Sequence, residues 1–478
     1  MIKYEEFCKK FCEVESRYKL FDLEFNGIKY WKYARYYVYR VVIEKLFGIS
    51  APFWLDNENQ WKLSKYTHKY QKITDAIFHN IDLSFQKDIL LFTFSRRVKV
   101  GEKYISPVTD EIALNLEKSH CIVETPYCGG YYRPTPIRGI KYFDVWDEVG
   151  KEHRIYTPIN RGQLRKQLLY IFEREFDITF TTEEKRILLI NINYFIMHRS
   201  ELVTNYKRVI SKINPKLVLY TSAYIGSWVV LTETLKEMGI PSVEILHGYV
   251  DDNYIPYNYS QIGLNDALPD YIFAHSQIQK DLIKWGIQKE NIRVVGHPEA
   301  EKRSKQLLEQ SPKREKKVIT FISGASHSME KYINELVENI NAEEYEIIFK
   351  LHPTELGSWK NNYKNLSKRV SVIDNNEMDI HYYLANTDIV IGIYSTALIE
   401  ATLYPVDIFI LKEDGYQGLE FLLKKKRAIL VSDSKELFSY IASGRSCCEQ
   451  VENCFFKRDA IQNINSEIEQ IIKESESK

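Results

Sequence analysis

The chain has 478 residues, too many for a single hydrophobic core, and we expect two or three domains. Basic and acidic residues balance at 65 each, so nothing indicates a polyanionic partner and nucleic-acid binding is not expected. No window approaches the ~18 apolar residues of a membrane-spanning helix, and the N-terminus lacks the apolar segment of a signal peptide. We therefore predict a cytoplasmic protein, attached at most peripherally to the inner face of a membrane.

The first 80 residues are predicted to form a mainly helical region. Within it, the stretch 29–48 (KYWKYARYYVYRVVIEKLFG) mixes basic and aromatic residues and ends in an apolar run. One interpretation is a helix packed on the main body with its charges in water. The composition also suits a helix in the headgroup layer of a membrane, or part of an acceptor site. The sequence leaves these three interpretations open.

From about residue 88, short apolar runs alternate with helical stretches, which predicts βαβ units and a parallel sheet. Such runs in residues 81–300, the predicted first domain, lie at 88–95, 121–126, 215–224, 241–248, 269–276 and 291–298. Those of the predicted second domain, 317–445, lie at 317–323, 345–351, 370–374, 388–393, 406–411 and 427–432. We predict an α/β protein with two Rossmann-like domains that face a cleft, and an extra helical N-terminal region.

Two segments flank the second domain. Residues 301–316 are charged and contain Pro312, which is typical of a linker. Residues 446–478 are predicted as a charged, helical C-terminal tail.

Small and polar residues follow three predicted strands of the second domain. Ser323, Gly324 and Ser326 follow its first strand, and amides in such a turn can face a phosphate. An ordinary loop with a serine cap explains them equally well. His352 follows the second strand directly, and Pro353 ends that strand. An imidazole there can donate a hydrogen bond to a phosphate.

The fourth strand runs through a glycine into Ser395 and Thr396, where a helix is predicted to begin. In an open parallel sheet, ligands bind at the carboxyl ends of strands, and the N-terminus of a helix attracts phosphate. The simpler interpretation is a helix cap, because serine and threonine are favoured there.

In the first domain, His247 ends a strand, Gly248 frees the turn, and Asp251 and Asp252 follow. Transfer of a group to an alcohol requires a residue that removes the proton, and histidine or a carboxylate can do so. We predict His247 or one of the two aspartates as the catalytic base, although His247 could equally hold a loop. His275 and His297 also lie at strand ends.

Four segments together resemble the GT-B glycosyltransferase superfamily: ILHGYVDD (245–252), FAHSQ…WGI…NIRVVGHPE (273–299), FKLHPTE (349–355) and IGIYSTALIEATLYP (391–405). The likeness covers residues 210–435 and is greatest to bacterial enzymes that build capsule, teichoic acid or lipo-oligosaccharide. These include sialyl- and polysialyltransferases with His-Pro and Ser-Ser/Thr motifs, and CDP-glycerol glycerophosphotransferases.

This resemblance implies a transferase that moves a sugar from a CMP-, CDP- or UDP-linked donor to a bacterial surface glycan. The acceptor would be a glycan or a lipid-linked glycan, and a membrane surface is a further candidate partner. His352 would contact the donor phosphate and help the nucleotide leave, and Glu400 would bind the ribose. The resemblance implies no cofactor and no metal, since Asp251–Asp252 is not the spaced Asp-x-Asp of the other major glycosyltransferase fold.

Three alternatives accompany this prediction. Polyol-phosphate transfer from CDP-glycerol would use the same scaffold, and a non-catalytic glycan- or nucleotide-binding partner would keep the site without the reaction. A UDP-sugar 2-epimerase is disfavoured, because FISGASHSMEKY (321–332) stands where that family carries a THRREN-like loop.

Overall fold

The computed structural model describes residues 2–48, 86–127, 131–145, 168–310, 314–324, 328–375, 377–444 and 455–477. The chain divides into two compact units. Unit 1 comprises Met1–Ala274, Gln279–Val295 and Ile461–Lys478, and unit 2 comprises His275–Ile278 and Gly296–Ala460.

Both units contain one large parallel sheet. The strands in chain order are β1 Glu24–Phe25, β2 Ile28–Lys29, β3 Ile89–Phe94, β4 Val98–Val100, β5 Lys103–Ile105, β6 His120–Thr125, β7 Lys141–Tyr142, β8 Leu217–Thr221, β9 Ser242–Ile245, β10 Tyr271–Ala274, β11 Ile292–Val294, β12 Lys317–Ile322, β13 Tyr345–Lys350, β14 Ser371–Ile373, β15 Ile389–Gly392, β16 Asp407–Leu411 and β17 Ile429–Val431. The α/β class with two Rossmann-like domains and helices in the N-terminal region is confirmed.

The α-helices in chain order are α1 Tyr4–Arg17, α2 Trp31–Phe47, α3 Asp110–Asn115, α4 Tyr170–Phe176, α5 Thr182–Ile213, α6 Gly226–Met238, α7 Gln277–Leu282, α8 Pro298–Gln310, α9 Met329–Asn339, α10 Ile380–Ala385, α11 Thr396–Glu400, α12 Glu420–Lys424, α13 Ser434–Ser443 and α14 Ala460–Glu476. No helix in the described ranges is long and apolar enough to cross a membrane.

The sheet of unit 1 has the strand order β11-β10-β9-β8-β3-β6-β7. The strand of this sheet that comes first in the chain, β3, lies inside the sheet. The chain next forms β6 and β7 on one side of β3, and then β8, β9, β10 and β11 on its other side. The order therefore reverses between β3 and β8, and in open α/β sheets such a reversal is where ligands bind. The buried faces of α1, α2, α5 and α6 form the core on one side of the sheet.

The helix α2 settles the interpretation of the basic and aromatic stretch 29–48. Arg35 is buried and pairs with Glu15 at 2.6 Å, and its guanidinium also donates to the carbonyls of Ile255 and Asn258. Because Trp31, Tyr33, Ala34, Val38, Tyr39, Val41, Val42 and Ile43 are also buried, the apolar side of α2 packs inside unit 1. The packed-helix interpretation is the one that the structure supports.

The C-terminal helix α14 packs on the other face of the unit 1 sheet. Ile464, Ile468, Ile471 and Ile472 lie one or two turns apart and are buried in a second core with strands β3, β8 and β10. Tyr271 donates to Glu474 at 2.9 Å. The apolar stripe therefore joins much of the predicted tail to unit 1.

Unit 2 has the strand order β14-β13-β12-β15-β16-β17, again with the first strand central and the reversal beside it. Residues 301–310, assigned from the sequence to a linker, lie within α8. Ala300, Ser304 and Leu307 are buried on one face of this helix, and Pro298 occupies its first position, where a missing N–H costs nothing. The charge that indicated a linker covers the exposed face.

Candidate functional site

The reversal point of unit 2 lies between β12 and β15, which pair in parallel from Ile319↔Ile389 to Phe321↔Ile391. On its other side β12 pairs with β13. The loops that follow β12, β13 and β15 therefore emerge side by side, in the position where open α/β sheets bind ligands. We call residues 323–324, 352–355 and 394–396 the unit 2 site.

A glycine joins two of these loops. A Cβ atom on Gly324 would lie only 2.5 Å from the carbonyl oxygen of Tyr394, so the loops after β12 and β15 touch there and a side chain would push them apart. Ser323 is buried, and its hydroxyl lies 3.2 Å from that of Tyr363. Ser326 lies outside the described residues. The structure thus brings Ser323 and Gly324 next to the Ser-Thr loop.

A buried carboxylate fixes the His-Pro turn. Glu355 is 3% exposed, and its Oε2 accepts from the backbone N–H of His352 at 3.0 Å. Its Oε1 accepts from the hydroxyl of Tyr363 at 2.7 Å. A chain of contacts therefore runs from His352 through Glu355 and Tyr363 to Ser323. Sequence reasoning missed Glu355, although it closes the motif FKLHPTE, because nothing in the spacing marks it as buried.

Ser395 caps the short helix α11. Its hydroxyl accepts from the backbone N–H of Ala397 at 3.3 Å, and Thr396 is exposed beside it. Since α11 has only five residues, its dipole contributes little, and any attraction for phosphate rests on local hydroxyl and N–H donors. The cap interpretation is confirmed. Binding of a phosphate at these two hydroxyls stays a prediction.

Glu400 ends α11 and forms a separate cluster with His381. Its Oε2 lies 3.4 Å from His381 Nε2, and His381 Nδ1 lies 2.9 Å from the hydroxyl of Tyr404. Burial raises the pKa of Glu400 to about 7, and the negative charge of Asp379 adds to the effect. Burial also lowers the pKa of His381. The contacts of Glu400 are thus with His381, and ribose binding by Glu400 stays a prediction.

In unit 1, His247 follows β9 and is surrounded by tyrosines. The ring centroids of Tyr224 and Tyr257 lie 6.2 Å and 6.4 Å from that of His247. Nδ1 of His247 is buried and has no hydrogen-bond partner among the described residues. Burial lowers the pKa of His247 to about 4, and the charge of Arg96 lowers it further. His247 is therefore neutral at pH 7 and able to accept a proton.

A buried acid, Glu244, lies within β9, the strand that His247 follows. Glu244 is 1% exposed and accepts from the hydroxyl of Tyr257 and from the backbone N–H of Ala223. Burial raises its pKa to about 7. We call Arg96, Tyr224, Glu244, His247, Tyr254 and Tyr257 the unit 1 site. Sequence analysis missed Glu244 and the tyrosines because they come together from separate segments: β9, the loop after β8 and the turn after His247.

The helix α2 contributes to this surrounding. The ring of Tyr36 lies 5.0 Å from that of Tyr224, whose hydroxyl is 3.0 Å from that of Tyr254. Burial raises the pKa of both Tyr36 and Tyr254, and the positive charge of Arg40 partly offsets this rise. The packed helix thus also borders the unit 1 site, and a part for it in an acceptor site stays a prediction.

The two aspartates have local roles. Oδ1 of Asp251 accepts from the backbone N–H of Asn253 at 2.9 Å, and Oδ1 of the exposed Asp252 accepts from the side-chain amide of Asn253 at 3.1 Å. Both carboxylates therefore stabilise the turn after His247. The carboxylates of the two aspartates thus have hydrogen-bond partners in the turn, whereas Nδ1 of His247 has none among the described residues.

His275 and His297 belong to unit 2 and pack on each other with ring centroids 4.5 Å apart. Both rings also lie 6.1 Å from Phe456. Nδ1 of His297 accepts from the backbone N–H of Ala300, and burial lowers the pKa of His297 to about 4. These contacts are those of packed histidines. In the part of the chain that the structure describes, no three His, Cys, Asp or Glu side chains are grouped to hold a metal ion.

Comparison with known families supports the resemblance at the unit 2 site. The family model described as Alpha-2,8-polysialyltransferase (POLYST) matches residues 322–411. This segment runs from the last residue of β12 to the end of β16 and contains Ser323, His352, Ser395 and Thr396. Over these residues the chain is similar to a family of glycosyltransferases, as the sequence motifs predicted. No curated protein matches the chain.

Several solved structures are similar over most of the chain. The UDP-GlcNAc 2-epimerase of Methanocaldococcus jannaschii shows 12% identity and a TM-score of 0.49, covering 80% of this chain and 99% of that one. The Neisseria meningitidis UDP-GlcNAc 2-epimerase bound to UDP-GlcNAc shows 14% identity and a TM-score of 0.48, with 80% and 100% covered. The wall teichoic acid polymerase TagF shows 13% identity and a TM-score of 0.43, covering 87% of this chain and 98% of that one. At these values the similarities carry no argument about function.

Proposed function

We propose that the protein is a glycosyltransferase that transfers a sugar from a CMP-, CDP- or UDP-linked donor to a surface glycan. The observation that carries the proposal is the set of contacts joining three strand-end loops at the reversal point of unit 2. Through these contacts the loops that carry Ser323, His352 and Ser395 are held next to one another. The match to polysialyltransferases covers the same loops.

The donor phosphate would bind at the unit 2 site. His352 would donate a hydrogen bond to it, and its backbone is held in place by Glu355 at 3.0 Å. The hydroxyls of Ser395 and Thr396 would donate from the opposite loop. As the sugar–phosphate bond breaks, negative charge builds up on the leaving phosphate, and donors already fixed in place stabilise it at little reorganisation cost.

The acceptor hydroxyl must lose a proton when it attacks the sugar. In this proposal His247 removes that proton, because its imidazole is neutral at pH 7 and a neutral imidazole has a nitrogen lone pair that can take up a proton. Asp251 and Asp252 are the alternative bases, although both carboxylates already accept hydrogen bonds within their turn. No step of this scheme requires a cofactor.

The proposal is tested by thermal unfolding of the whole protein with CMP, CDP, UDP, GDP and ADP. A ligand present at ~100 times its Kd adds roughly 2.7 kcal/mol to the stability of the folded state. We expect one nucleotide to raise the melting temperature of wild type, and His352→Ala to reduce that rise. His120→Ala, at the start of β6, is the matched control and should respond like wild type.

If one nucleotide stabilises the protein, the next experiment measures transfer of sugar from the corresponding nucleotide sugar to glycan acceptors. Nucleotide binding without hydrolysis or transfer of any such donor would instead favour a non-catalytic partner. Release of a polyol phosphate from CDP-glycerol would identify polyol-phosphate transfer. If no nucleotide stabilises wild type, the proposed donor site is wrong.

A further inference from the structure

Tyr394 immediately precedes Ser395 and is exposed to solvent. Its relative exposure is 45%, although it lies between a buried strand, β15, and the capped helix α11. An aromatic side chain that is exposed in this place offers a flat surface beside the loop of Ser395 and Thr396.

Glycines surround Tyr394 on three sides. A Cβ on Gly324 would lie 2.5 Å from its carbonyl oxygen, and a Cβ on Gly418 would lie 2.8 Å from its ring atom Cδ2. A Cβ on Gly415 would be 3.6 Å from Cβ of Tyr394. The ring thus rests against Gly418 in the loop after β16, while the backbone of Tyr394 rests against the loop after β12. A side chain at Gly324 or Gly418 would displace it.

The ring lies near the proposed phosphate donors, because Tyr394 is the chain neighbour of Ser395. Consecutive Cα atoms are about 3.8 Å apart, so the ring lies within the length of a nucleotide from the hydroxyls of Ser395 and Thr396. A nucleotide combines a flat ring with a phosphate across one ribose. A flat aromatic surface next to hydroxyl donors matches those two ends.

We propose that Tyr394 is the stacking surface for the nucleobase of the donor. This inference rests on the proposed function, because it assumes that a nucleotide binds the unit 2 site. Stacking uses the face of the base and not its hydrogen-bonding groups, so Tyr394 supplies affinity, and the choice between cytosine and uracil must come from other residues.

The test is a calorimetric titration of the full chain with CMP, CDP and UDP, and with ribose 5-phosphate, which has no base. We expect Tyr394→Ala to weaken nucleotide binding by about 5- to 100-fold, the range of base–aromatic stacking. Tyr394→Phe, which keeps the ring, should bind like wild type. Ribose 5-phosphate should bind both variants as it binds wild type.

Two further variants control for folding and for generic loss of an exposed tyrosine. Gly418→Ala keeps the ring but displaces it, and should weaken nucleotide binding in the same direction as Tyr394→Ala. Tyr170→Ala removes a tyrosine that is 60% exposed in unit 1 and should leave binding unchanged. Melting temperatures of all variants without ligand show whether each is folded.

Several outcomes would overturn the inference. Unchanged nucleotide affinity in folded Tyr394→Ala, with wild type binding normally, would refute Tyr394 alone and leave the donor site intact. Equal weakening of nucleotide and ribose 5-phosphate would show that Tyr394 acts through the loop. An effect confined to intact nucleotide sugars would place the contact on the transferred sugar. Absence of any nucleotide binding to wild type would refute the proposed function as well.

Discussion

The sheet of unit 1 has one strand more than the sheet of unit 2, but the strand order around the reversal point is the same in both, and the residues there differ in kind. The unit 2 site combines the exposed Gly324, which touches the Tyr394 carbonyl, and the exposed Thr396 with the buried Ser323 and Glu355. In the unit 1 site large aromatic rings surround His247, and Glu244 is buried. The first leaves backbone and hydroxyls accessible, whereas the second removes titratable groups from water.

The difference between the two sites suits two different chemical tasks. Accessible donors suit a phosphate that arrives with its own charge, while burial shifts the pKa of groups that exchange protons. One fold thus provides both kinds of environment, and the residues at the strand ends decide which one forms. If the comparison is correct, changes at the unit 1 site should alter rate and pH dependence, and changes at the unit 2 site should alter nucleotide affinity.

The largest effect is expected for His247→Ala. If His247 removes the acceptor proton, the variant should lose about 10²- to 10⁴-fold in kcat, the usual contribution of general base catalysis. Nucleotide affinity should not change, because in the proposal the contacts to the donor phosphate come from His352, Ser395 and Thr396. Steady-state transfer kinetics with calorimetry of the nucleotide measure both quantities. His198→Ala on α5 is the control histidine in the same unit.

The pH profile of wild type sharpens this prediction. Because the pKa of His247 is lowered to about 4, the base stays neutral above that pH, and the acid limb of kcat/KM should lie near pH 4. An acid limb near the ordinary histidine pKa of about 6.5 would contradict the burial argument. Full activity in His247→Ala, with loss in Asp251→Asn or Asp252→Asn, would transfer the role of base to an aspartate.

The second prediction concerns Glu244 and the stability of the protein. Its pKa is about 7 in the folded state and about 4.3 in an unfolded chain, so the folded state binds the extra proton between these values. The free energy of unfolding should therefore fall as pH rises from about 4.3 to about 7, by up to about 3 kcal/mol, and stay level above. Glu244→Gln should remove this part of the slope.

Urea unfolding of wild type and Glu244→Gln at about pH 5 and about pH 8 measures that contribution. The glutamine oxygen can still accept from Tyr257 and from the Ala223 N–H, so packing is conserved. Since Glu400 also has a raised pKa and adds to the wild-type slope, the difference between the two proteins is the informative quantity. Glu237→Gln, an exposed carboxylate on α6, should leave the slope nearly unchanged. Equal slopes in wild type and Glu244→Gln would show that Glu244 is not protonated in the folded state.

The third prediction tests whether the buried carboxylate of Glu355 positions His352. Glu355→Ala removes the carboxylate that accepts from the His352 N–H and from the Tyr363 hydroxyl, at a cost of about 1–3 kcal/mol, and frees the His-Pro turn. Nucleotide affinity should fall by about tenfold. Tyr363→Phe removes one of the two bonds and should have a smaller effect.

A double-mutant cycle separates positioning from general destabilisation. In the His352→Ala background, Glu355→Ala should have almost no further effect on nucleotide affinity, because the side chain that it positions is already gone. Additive losses would mean that Glu355 contributes to the site independently of His352. Melting temperatures report the separate cost to stability.

The sequence predicted the features that depend on local pattern. Alternating apolar runs located the strands of both sheets except the short β7, and residue types at strand ends led to the prediction of His352, Ser395 and His247 as site residues. Other features depend on contacts between distant segments. Glu355 is connected to Ser323 through Tyr363, and α14 reaches the unit 1 sheet after more than a hundred residues of unit 2. No periodicity records such pairings.

The helix α8 was not expected within the predicted linker for a related reason. Charge and Pro312 dominate the stretch 301–316, and the buried stripe of Ala300, Ser304 and Leu307 is too narrow to stand out among charged residues. Interpretation of Ser395 was limited differently, since a helix cap and a phosphate ligand require the same hydroxyl. Only substitutions that separate the two roles can decide between them.

The fourth prediction, with the smallest expected effect, concerns two substitutions of Ser395 that separate these roles. Ser395→Ala removes the acceptor for the Ala397 N–H and should cost about 1 kcal/mol of stability. Ser395→Asp supplies an equally good cap but places a negative charge where the phosphate is proposed to bind. The two variants should therefore rank in opposite order: aspartate near wild type in melting temperature, and weaker than alanine in nucleotide affinity. Thermal unfolding and calorimetry on the same preparations measure both rankings. Nucleotide binding by Ser395→Asp at wild-type affinity would remove the phosphate from this loop, and with it the contrast between an open anion site in unit 2 and a closed aromatic site in unit 1.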